Sequence, residues 1–181
     1  MGKGHKAHDL PYRPCVGIVV FNKDGLVWVG QRIAEKQSEY SNSPFRWQMP
    51  QGGIDKNEDP KAASLRELHE ETGLKPQHVE IIGSTQSWLK YNLPKRFIRK
   101  NSFPLCIGQK QIWYLLRLIG SDEDVNLNSS KKPEFDGWRW IDFRQPVDEV
   151  VFFKRKVYKR ALTELSGFLL SAGLLGFLGH Q

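Results

Sequence analysis

The sequence predicts an α/β sandwich in which a set of strands packs against two helices. Three observations lead to this prediction: a β-branched run at 15–21, a capped helix at 60–72 and an amphipathic helix near the C-terminus. No internal repeat or low-complexity linker interrupts the 181 residues. We therefore expect residues 1–181 to form one domain, with a flexible start at 1–11 and an apolar tail at 167–181.

The strands are predicted from short apolar runs bounded by turn residues. CVGIVVF at 15–21 is followed by a turn at 22–25 and a returning strand at 26–30. A polar, proline-terminated stretch at 35–44 predicts a loop. The remaining strands are predicted at 79–86, 111–119 and 138–141.

Two helices complete the predicted sandwich. Asp59 and Pro60 are typical of an N-cap and a first helical position, and Gly73 is typical of a C-terminal stop. The second helix should start near Val147, because apolar residues recur at helical spacing up to Leu165. We expect the apolar tail to end this helix against the core, with membrane-surface association as the alternative.

Composition and charge narrow the class of protein. Hydrophobic residues make up 39% of the chain, which excludes a disordered polymer. The net charge of +7 favours polyanionic partners, whether nucleic acid, nucleotides or lipid headgroups. The sequence contains no secretory signal and no transmembrane segment, and Cys15 and Cys106 lack metal-ligand spacing. A cytoplasmic enzyme is therefore expected, and no feature indicates a particular oligomeric state.

Three glutamates form the main candidate for chemistry. Glu67, Glu70 and Glu71 stand at i, i+3 and i+4, so their carboxylates share one helix face and repel one another. Arg66 supplies one compensating cation, and a divalent metal would supply more charge. Carboxylate oxygens suit a hard cation such as Mg²⁺. The alternative is a solvated acidic face paired with nearby lysines.

The wider spacing favours the metal site. The positions that match the Nudix box are Gly52, Glu58, Arg66-Glu67-Leu68, Glu70-Glu71 and Gly73-Leu74. The chain thus resembles Nudix hydrolases. The segments YRPCVGIVV, WQMPQGGI and PEFDGWRWI further resemble bacterial RNA 5′-pyrophosphohydrolases and dinucleoside polyphosphate hydrolases. This resemblance implies a Nudix α/β/α sandwich with a mixed β-sheet, and RNA 5′ ends or dinucleoside polyphosphates as substrates.

The resemblance also implies the catalytic residues. Arg66 should pair with Glu58 and orient the glutamates. The cofactor should be Mg²⁺ or, alternatively, Mn²⁺ or Zn²⁺. Glu67 is favoured as the base that takes a proton from water, while Glu70 and Glu134 stay open as alternatives. The implied metal ligands are Glu67, Glu70, Glu71, Glu134 and the Gly52 carbonyl.

Substrate contacts are predicted around this centre. Arg13 and Arg32 resemble positions that meet phosphates, and Phe153 resembles a position where a base stacks. Charge and aromatic character add Tyr91, Lys95 and Lys110 to the same groove, with core packing as the alternative for each aromatic residue. The basic runs at 95–100 and 154–160 predict a path for the RNA backbone, or else solvated surface.

Four functions follow from these patterns. The leading hypothesis is removal of pyrophosphate from 5′-triphosphorylated RNA, closely followed by hydrolysis of diadenosine tetraphosphate or a similar dinucleotide. The third is an RNA-binding module with an inactive Nudix fold. The fourth, an isoprenoid diphosphate isomerase, requires a catalytic cysteine, and neither Cys15 nor Cys106 lies near the box in sequence. A long stretch at 35–46 and the apolar tail depart from the resemblance.

Overall fold

The structure, a computed structural model, describes residues 12–33, 43–99, 101, 105–171 and 173. The α-helices in these residues are α1 (Pro60–Thr72), α2 (Pro146–Glu149) and α3 (Arg155–Ser171). The strands are β1 (Tyr12–Phe21), β2 (Val27–Arg32), β3 (Trp47–Gln48), β4 (Gln51–Gly53), β5 (Val79–Ser84), β6 (Leu89–Asn92), β7 (Gly108–Leu118) and β8 (Phe135–Ile141).

All eight described strands join one mixed sheet. Its main order is β3-β2-β1-β7-β5, while β4 pairs with β1, β6 with β7 and β8 with β2. Strands β1 and β7 are parallel, and the other described pairs are antiparallel. Strands β3, β4 and β6 have two to four residues, too few to show a periodic pattern in the sequence.

The two faces of β1 pack against different helices. Val19 and Phe21 join the core that contains Leu165 of α3. Ile18 and Val20 point the other way, into the core that contains Leu68 of α1. Burial on both faces explains why the strand is an unbroken apolar run rather than an alternating one. The predicted α/β/α sandwich with a mixed sheet is confirmed.

Helix α1 has the predicted boundaries. The Asp59 carboxylate accepts a hydrogen bond from the Ala62 N–H at 3.2 Å, which satisfies a free donor of the first turn. Gly73 ends the helix with φ of 79°, a left-handed conformation that favours glycine. Both ends of α1 are therefore determined locally.

The prediction of one continuous helix from near Val147 is wrong. Helix α2 ends at Glu149, the chain becomes extended at Val150, and α3 begins only at Arg155. Val150 is 1% exposed and packs in the core with α3. The β-branched Val150 is buried in this extended conformation, which interrupts the helix that apolar spacing predicted.

Several predictions concern residues at the margins of the described chain. The segment 1–11 and most of the loop 35–46 lie outside the described residues, as do 172 and 174–181 of the tail. Helix α3 ends at Ser171, with Leu169 buried and the Phe168 ring packed over Gly83 of β5. None of the described helices has the length and apolar character needed to cross a membrane.

Candidate active site

Helix α1 presents its glutamates at the part of the sheet where β4 pairs with β1. Leu68 is fully buried and anchors the helix on the sheet, which directs Glu67 and Glu71 towards β4. Glu71 is 7% exposed and Glu67 is also largely buried, whereas Glu70 is exposed. The acidic face predicted from helical spacing therefore contains two buried carboxylates and one exposed carboxylate.

Strand β4 contacts the two buried carboxylates directly. The Glu67 carboxylate lies against the α-carbon of Gly52, where any side chain would overlap it. One residue earlier, the Gln51 N–H donates a hydrogen bond to Glu71 Oε2 at 3.1 Å. The short strand thus holds both carboxylates in place.

Arg66 forms hydrogen bonds with both Glu58 and Glu67. Its Nε and Nη2 each donate to one oxygen of Glu58 at 2.8 Å, and its Nη1 donates to Glu67 Oε1 at 2.8 Å. Nη2 also donates to the Gly53 carbonyl at 2.8 Å. The hydrogen bonds from Arg66, with one from the Asp55 N–H, lower the pKa of Glu58 to about 2. The predicted pair of Glu58 and Arg66 is present, and it fixes the position of Glu67.

The buried carboxylates suit a bound cation. Burial raises the pKa of Glu71 well above its ordinary value and also raises the pKa of Glu67. A divalent cation would stabilise the ionised forms, and carboxylate and carbonyl oxygens are the ligands that hard cations prefer. Within the described residues no three acidic, His or Cys side chains already form a complete metal cluster.

An open cavity of about 640 Å³ lies over these carboxylates. Glu134, just before β8, also lines this cavity, with its Oε2 3.4 Å from Arg32 Nη2. The Arg13 guanidinium packs over Gly53. Carboxylates and guanidinium groups therefore line one space that can take a polyphosphate and its cation. The predicted site residues in this cavity are Arg13, Arg32, Gly52, Glu67, Glu70, Glu71 and Glu134. We call it the acidic cavity after its four glutamates, and the basic residues Arg99, Lys131 and Lys132 also line it.

A second cavity of about 450 Å³ adjoins the first and is aromatic in character. The Phe153 ring centroid lies 5.9 Å from that of Tyr91 and 5.7 Å from that of Phe97. Tyr91 is 6% exposed, so most of its ring packs in the core. The two cavities share the lining residues Arg13, Arg32, Gln51, Arg99 and Gln109.

Two predicted contacts lie apart from the described cavity linings. Lys95 is exposed in a short 3₁₀ turn, Lys95–Phe97. Lys110 lies on β7 with its Nζ 5.0 Å from the centroid of the Trp88 ring. Neither lysine lines either cavity. Among the described residues, the groove predicted for Tyr91 therefore contains neither Lys95 nor Lys110.

Lys154 corrects the prediction of an exposed basic path through 154–160. It is 5% exposed, its Nζ donates to Gln48 Oε1 at 3.2 Å, and it lines the aromatic cavity. Burial lowers its pKa to about 7. Lys154 is the last residue of a 3₁₀ turn, Phe152–Lys154, which directly precedes α3. The predicted continuous helix contained no such turn.

Cys15 also lies where the sequence did not indicate. It pairs with Gly53 across β1 and β4 and lines the acidic cavity, although it is far from the box in sequence. Burial raises its pKa to about 11, so the thiol stays protonated at neutral pH. A protonated thiol is a poor nucleophile, and the isomerase hypothesis gains no support from it.

Gln51 is a site residue that sequence reasoning missed. Its backbone holds Glu71, its side chain lines both cavities, and its buried Oε1 has no hydrogen-bond partner among the described residues. A buried oxygen without a partner is costly, which is typical of a ligand-binding position. Its place directly before Gly52 was the signal that could have identified it.

Comparisons with known proteins agree with this geometry. Residues 11–161 match the NUDIX domain family. An RNA pyrophosphohydrolase of Alkalilimnicola ehrlichii is 53% identical over 163 residues, 90% of this chain and 85% of that protein. One of Methylococcus capsulatus is 53% identical over 154 residues, 85% of this chain and 76% of that protein.

Solved structures share the fold at lower identity. A C. elegans Ap4A hydrolase binary complex gives a TM-score of 0.60 at 20% identity, covering 88% of this chain and 98% of that one. The E. coli dihydroneopterin triphosphate pyrophosphohydrolase gives 0.62 at 17%, covering 84% and 97%. The family predicted from the glutamate spacing is confirmed. The chain therefore belongs to the Nudix family and is a hydrolase of that family.

Proposed function

We propose that this Nudix hydrolase removes pyrophosphate from the 5′ end of triphosphorylated RNA. The observation that carries the proposal is the junction of an acidic cavity and an aromatic cavity through Arg13, Arg32 and Gln51. This arrangement suits a polyphosphate in the first cavity and its base in the second. The names of the relatives at 53% identity support RNA as substrate. Such a substrate places the enzyme in the cytoplasm, with the whole chain acting as one Nudix domain.

The proposal includes a divalent cation, which Nudix hydrolases generally need. We propose that this cation is Mg²⁺ or, alternatively, Mn²⁺ or Zn²⁺. When bound, the cation neutralises charge on the phosphate oxygens. The residues that would hold it are Glu67, Glu70, Glu71, Glu134 and the Gly52 carbonyl.

The chain's own residues supply orientation and proton transfer. Arg13 and Arg32 line both cavities, and they bind phosphate oxygens where the two cavities meet. Arg66 donates to Glu67 Oε1 and orients the carboxylate that would accept the proton of the attacking water.

Atoms balance in a single hydrolytic displacement. The water oxygen bonds to a phosphorus of the bridge between the α- and β-phosphates, and the bond from that phosphorus to the bridging oxygen breaks. The products are RNA with a 5′-monophosphate and free pyrophosphate, and the water proton resides on Glu67. Phe153 holds the first base by stacking, with Tyr91 behind it.

Dinucleoside polyphosphates are the second candidate substrate, because both cavities would accept their nucleoside and polyphosphate parts. The test offers 5′-triphosphorylated RNA and diadenosine tetraphosphate with Mg²⁺ and identifies the phosphate products. We expect faster turnover of the RNA, no turnover by Glu71→Gln, and normal turnover by the exposed control Glu123→Gln.

The other outcomes decide between the alternatives. A strong preference for the dinucleotide would indicate that the enzyme clears such nucleotides rather than processing RNA 5′ ends. Turnover of neither substrate would contradict the proposal and return the inactive RNA-binding module to consideration. Glu67→Gln separates these cases further, since an enzyme loses turnover but keeps RNA binding, whereas a pure binding module has no turnover to lose.

A further inference from the structure

A second aromatic and basic surface lies on the face of the sheet opposite the aromatic cavity. Successive strand residues point to opposite faces, so Gln109 of β7 faces the aromatic cavity and Lys110 faces away from it. Lys90 of β6 is the strand partner of Lys110 and shares its face. Two aromatic residues flank the lysines. We call the set Tyr12, Trp88, Lys90 and Lys110 the back-face patch.

Each lysine of the patch is held over an aromatic ring. Lys110 Nζ lies 5.0 Å from the centroid of the Trp88 ring, and Lys90 Nζ lies 5.1 Å from that of Tyr12. The Tyr12 hydroxyl donates a hydrogen bond to Asn92 Oδ1 at 2.7 Å, which fixes that ring. Trp88 is 38% exposed. Proteins that bind single-stranded nucleic acid without reading sequence combine a positively charged groove with aromatic rings on which bases stack.

The charges of the patch favour an anion. Lys90 and Lys110 are directly opposed on neighbouring strands, where Cβ atoms are about 4.5–5.5 Å apart and like charges destabilise the pair. Phosphates bound to these lysines would offset this repulsion. The net charge of +7 adds a long-range attraction for a polyanion.

The patch is continuous with the aromatic cavity. Tyr91 and Gly108 line that cavity. Gly108 pairs with Tyr12 on one side and with Asn92 on the other, at one end of three adjacent strands. Gly108 therefore joins the aromatic cavity to the patch at these strand ends.

We propose that the back-face patch binds the single-stranded RNA that follows the 5′ nucleotides. Phosphates of this RNA bind Lys90 and Lys110, and a base stacks on Trp88. The inference rests on the proposed function, because it extends the RNA path beyond the cavities. A dinucleoside polyphosphate has no chain beyond its second nucleoside, so it does not use the patch.

The test compares substrates of different length. The variants are Trp88→Ala and the double substitution Lys90→Ala/Lys110→Ala, and the matched control is Lys23→Ala/Lys75→Ala, which removes two exposed lysines elsewhere. We expect kcat/KM on a triphosphorylated RNA 10-mer to fall about tenfold in both patch variants, while a triphosphorylated dinucleotide is hydrolysed as by the wild type. The control double variant should behave like the wild type on both substrates.

A salt titration gives a readout that a folding defect does not mimic. For single strands each neutralised phosphate contributes about 0.7 to the slope of log K against log salt. Binding of a 5′-monophosphorylated RNA 10-mer, followed by fluorescence anisotropy, should therefore lose about 1.4 in slope in the double lysine variant. The proposal is overturned if kcat/KM falls equally on the 10-mer and the dinucleotide, or if the salt slope of RNA binding is unchanged. The patch would then bind a different partner, such as an acidic protein.

The two proposals fail in distinguishable ways. If the wild type does not hydrolyse triphosphorylated RNA, the proposed function is contradicted. The anisotropy measurement needs no turnover, so it still reports whether the patch binds RNA.

Discussion

The Glu67 carboxylate lies so close to Gly52 that a methyl group on the Gly52 α-carbon would overlap Glu67 Cδ and both carboxylate oxygens. The absence of a side chain at this position therefore allows the helix α1 carboxylate to reach strand β4. Both residues were identified from the sequence as members of one motif, and the structure shows that they are in direct contact.

Gly52→Ala should displace Glu67 and lower kcat at least 100-fold, because positioning errors near 1 Å cost about that factor. The chain should still fold, since the clash lies at the cavity rather than in either core. Gly167→Ala, whose added methyl group meets nothing within 4 Å, is the matched control and should keep wild-type activity. Steady-state kinetics checks both variants, and full activity in Gly52→Ala would contradict the assigned contact.

Glu58→Gln should destabilise the protein in a pH-dependent way. The loss at neutral pH should be about 1.5–3 kcal/mol, the range for hydrogen bonds to charged groups. Arg66 lowers the pKa of Glu58 from 4.5 to about 2 in the folded state. The carboxylate therefore stabilises the fold above pH 4.5, and this contribution disappears as the pH falls towards 2. Denaturant unfolding between pH 2 and 7 measures the effect, and a constant difference between variant and wild type would refute it.

Protons and metal should compete at the buried glutamates. Burial raises the pKa of Glu71 and Glu67, so more of each carboxyl is protonated in mildly acidic solution than for an exposed glutamate. Metal ligands must be deprotonated, and the affinity for Mg²⁺ should consequently fall as the pH decreases from 8 to 5. Calorimetric titration of metal-free protein checks this. The pH dependence should weaken in Glu71→Gln, and an affinity independent of pH would argue against these ligands.

Neighbouring phenylalanines offer a matched test of base stacking. Phe153 lines the aromatic cavity, whereas Phe152 is 61% exposed and lines neither of the two active-site cavities. Loss of one stacking contact costs about 1–3 kcal/mol, so Phe153→Ala should raise KM roughly 5- to 150-fold. Phe152→Ala should change KM little. Similar KM values for the two variants would show that the base does not bind at Phe153.

Much of the active site was predictable because its signal is local. Asp59, Pro60 and Gly73 determine the ends of helix α1 by capping alone, and helical geometry then places Glu67, Glu70 and Glu71 together. The pair of Glu58 and Arg66 is only eight residues apart, within the same loop and helix. The sequence by itself determined this centre, the family and the sandwich of strands and helices.

Long-range packing decided the remainder. No local feature of the sequence shows that Lys154 is a buried residue of the active-site cleft rather than a surface cation. Likewise, none shows that the Cys15 thiol lines the cleft rather than lying in the core. Helical spacing also concealed the break at Val150, because apolar residues can be buried equally well in an extended segment. Lys110 was expected beside Tyr91, yet strand alternation points it to the opposite face of the sheet. Capping and helical periodicity act over a few residues, whereas burial and sheet face depend on partners far away in the chain, and only the tertiary structure supplies those partners.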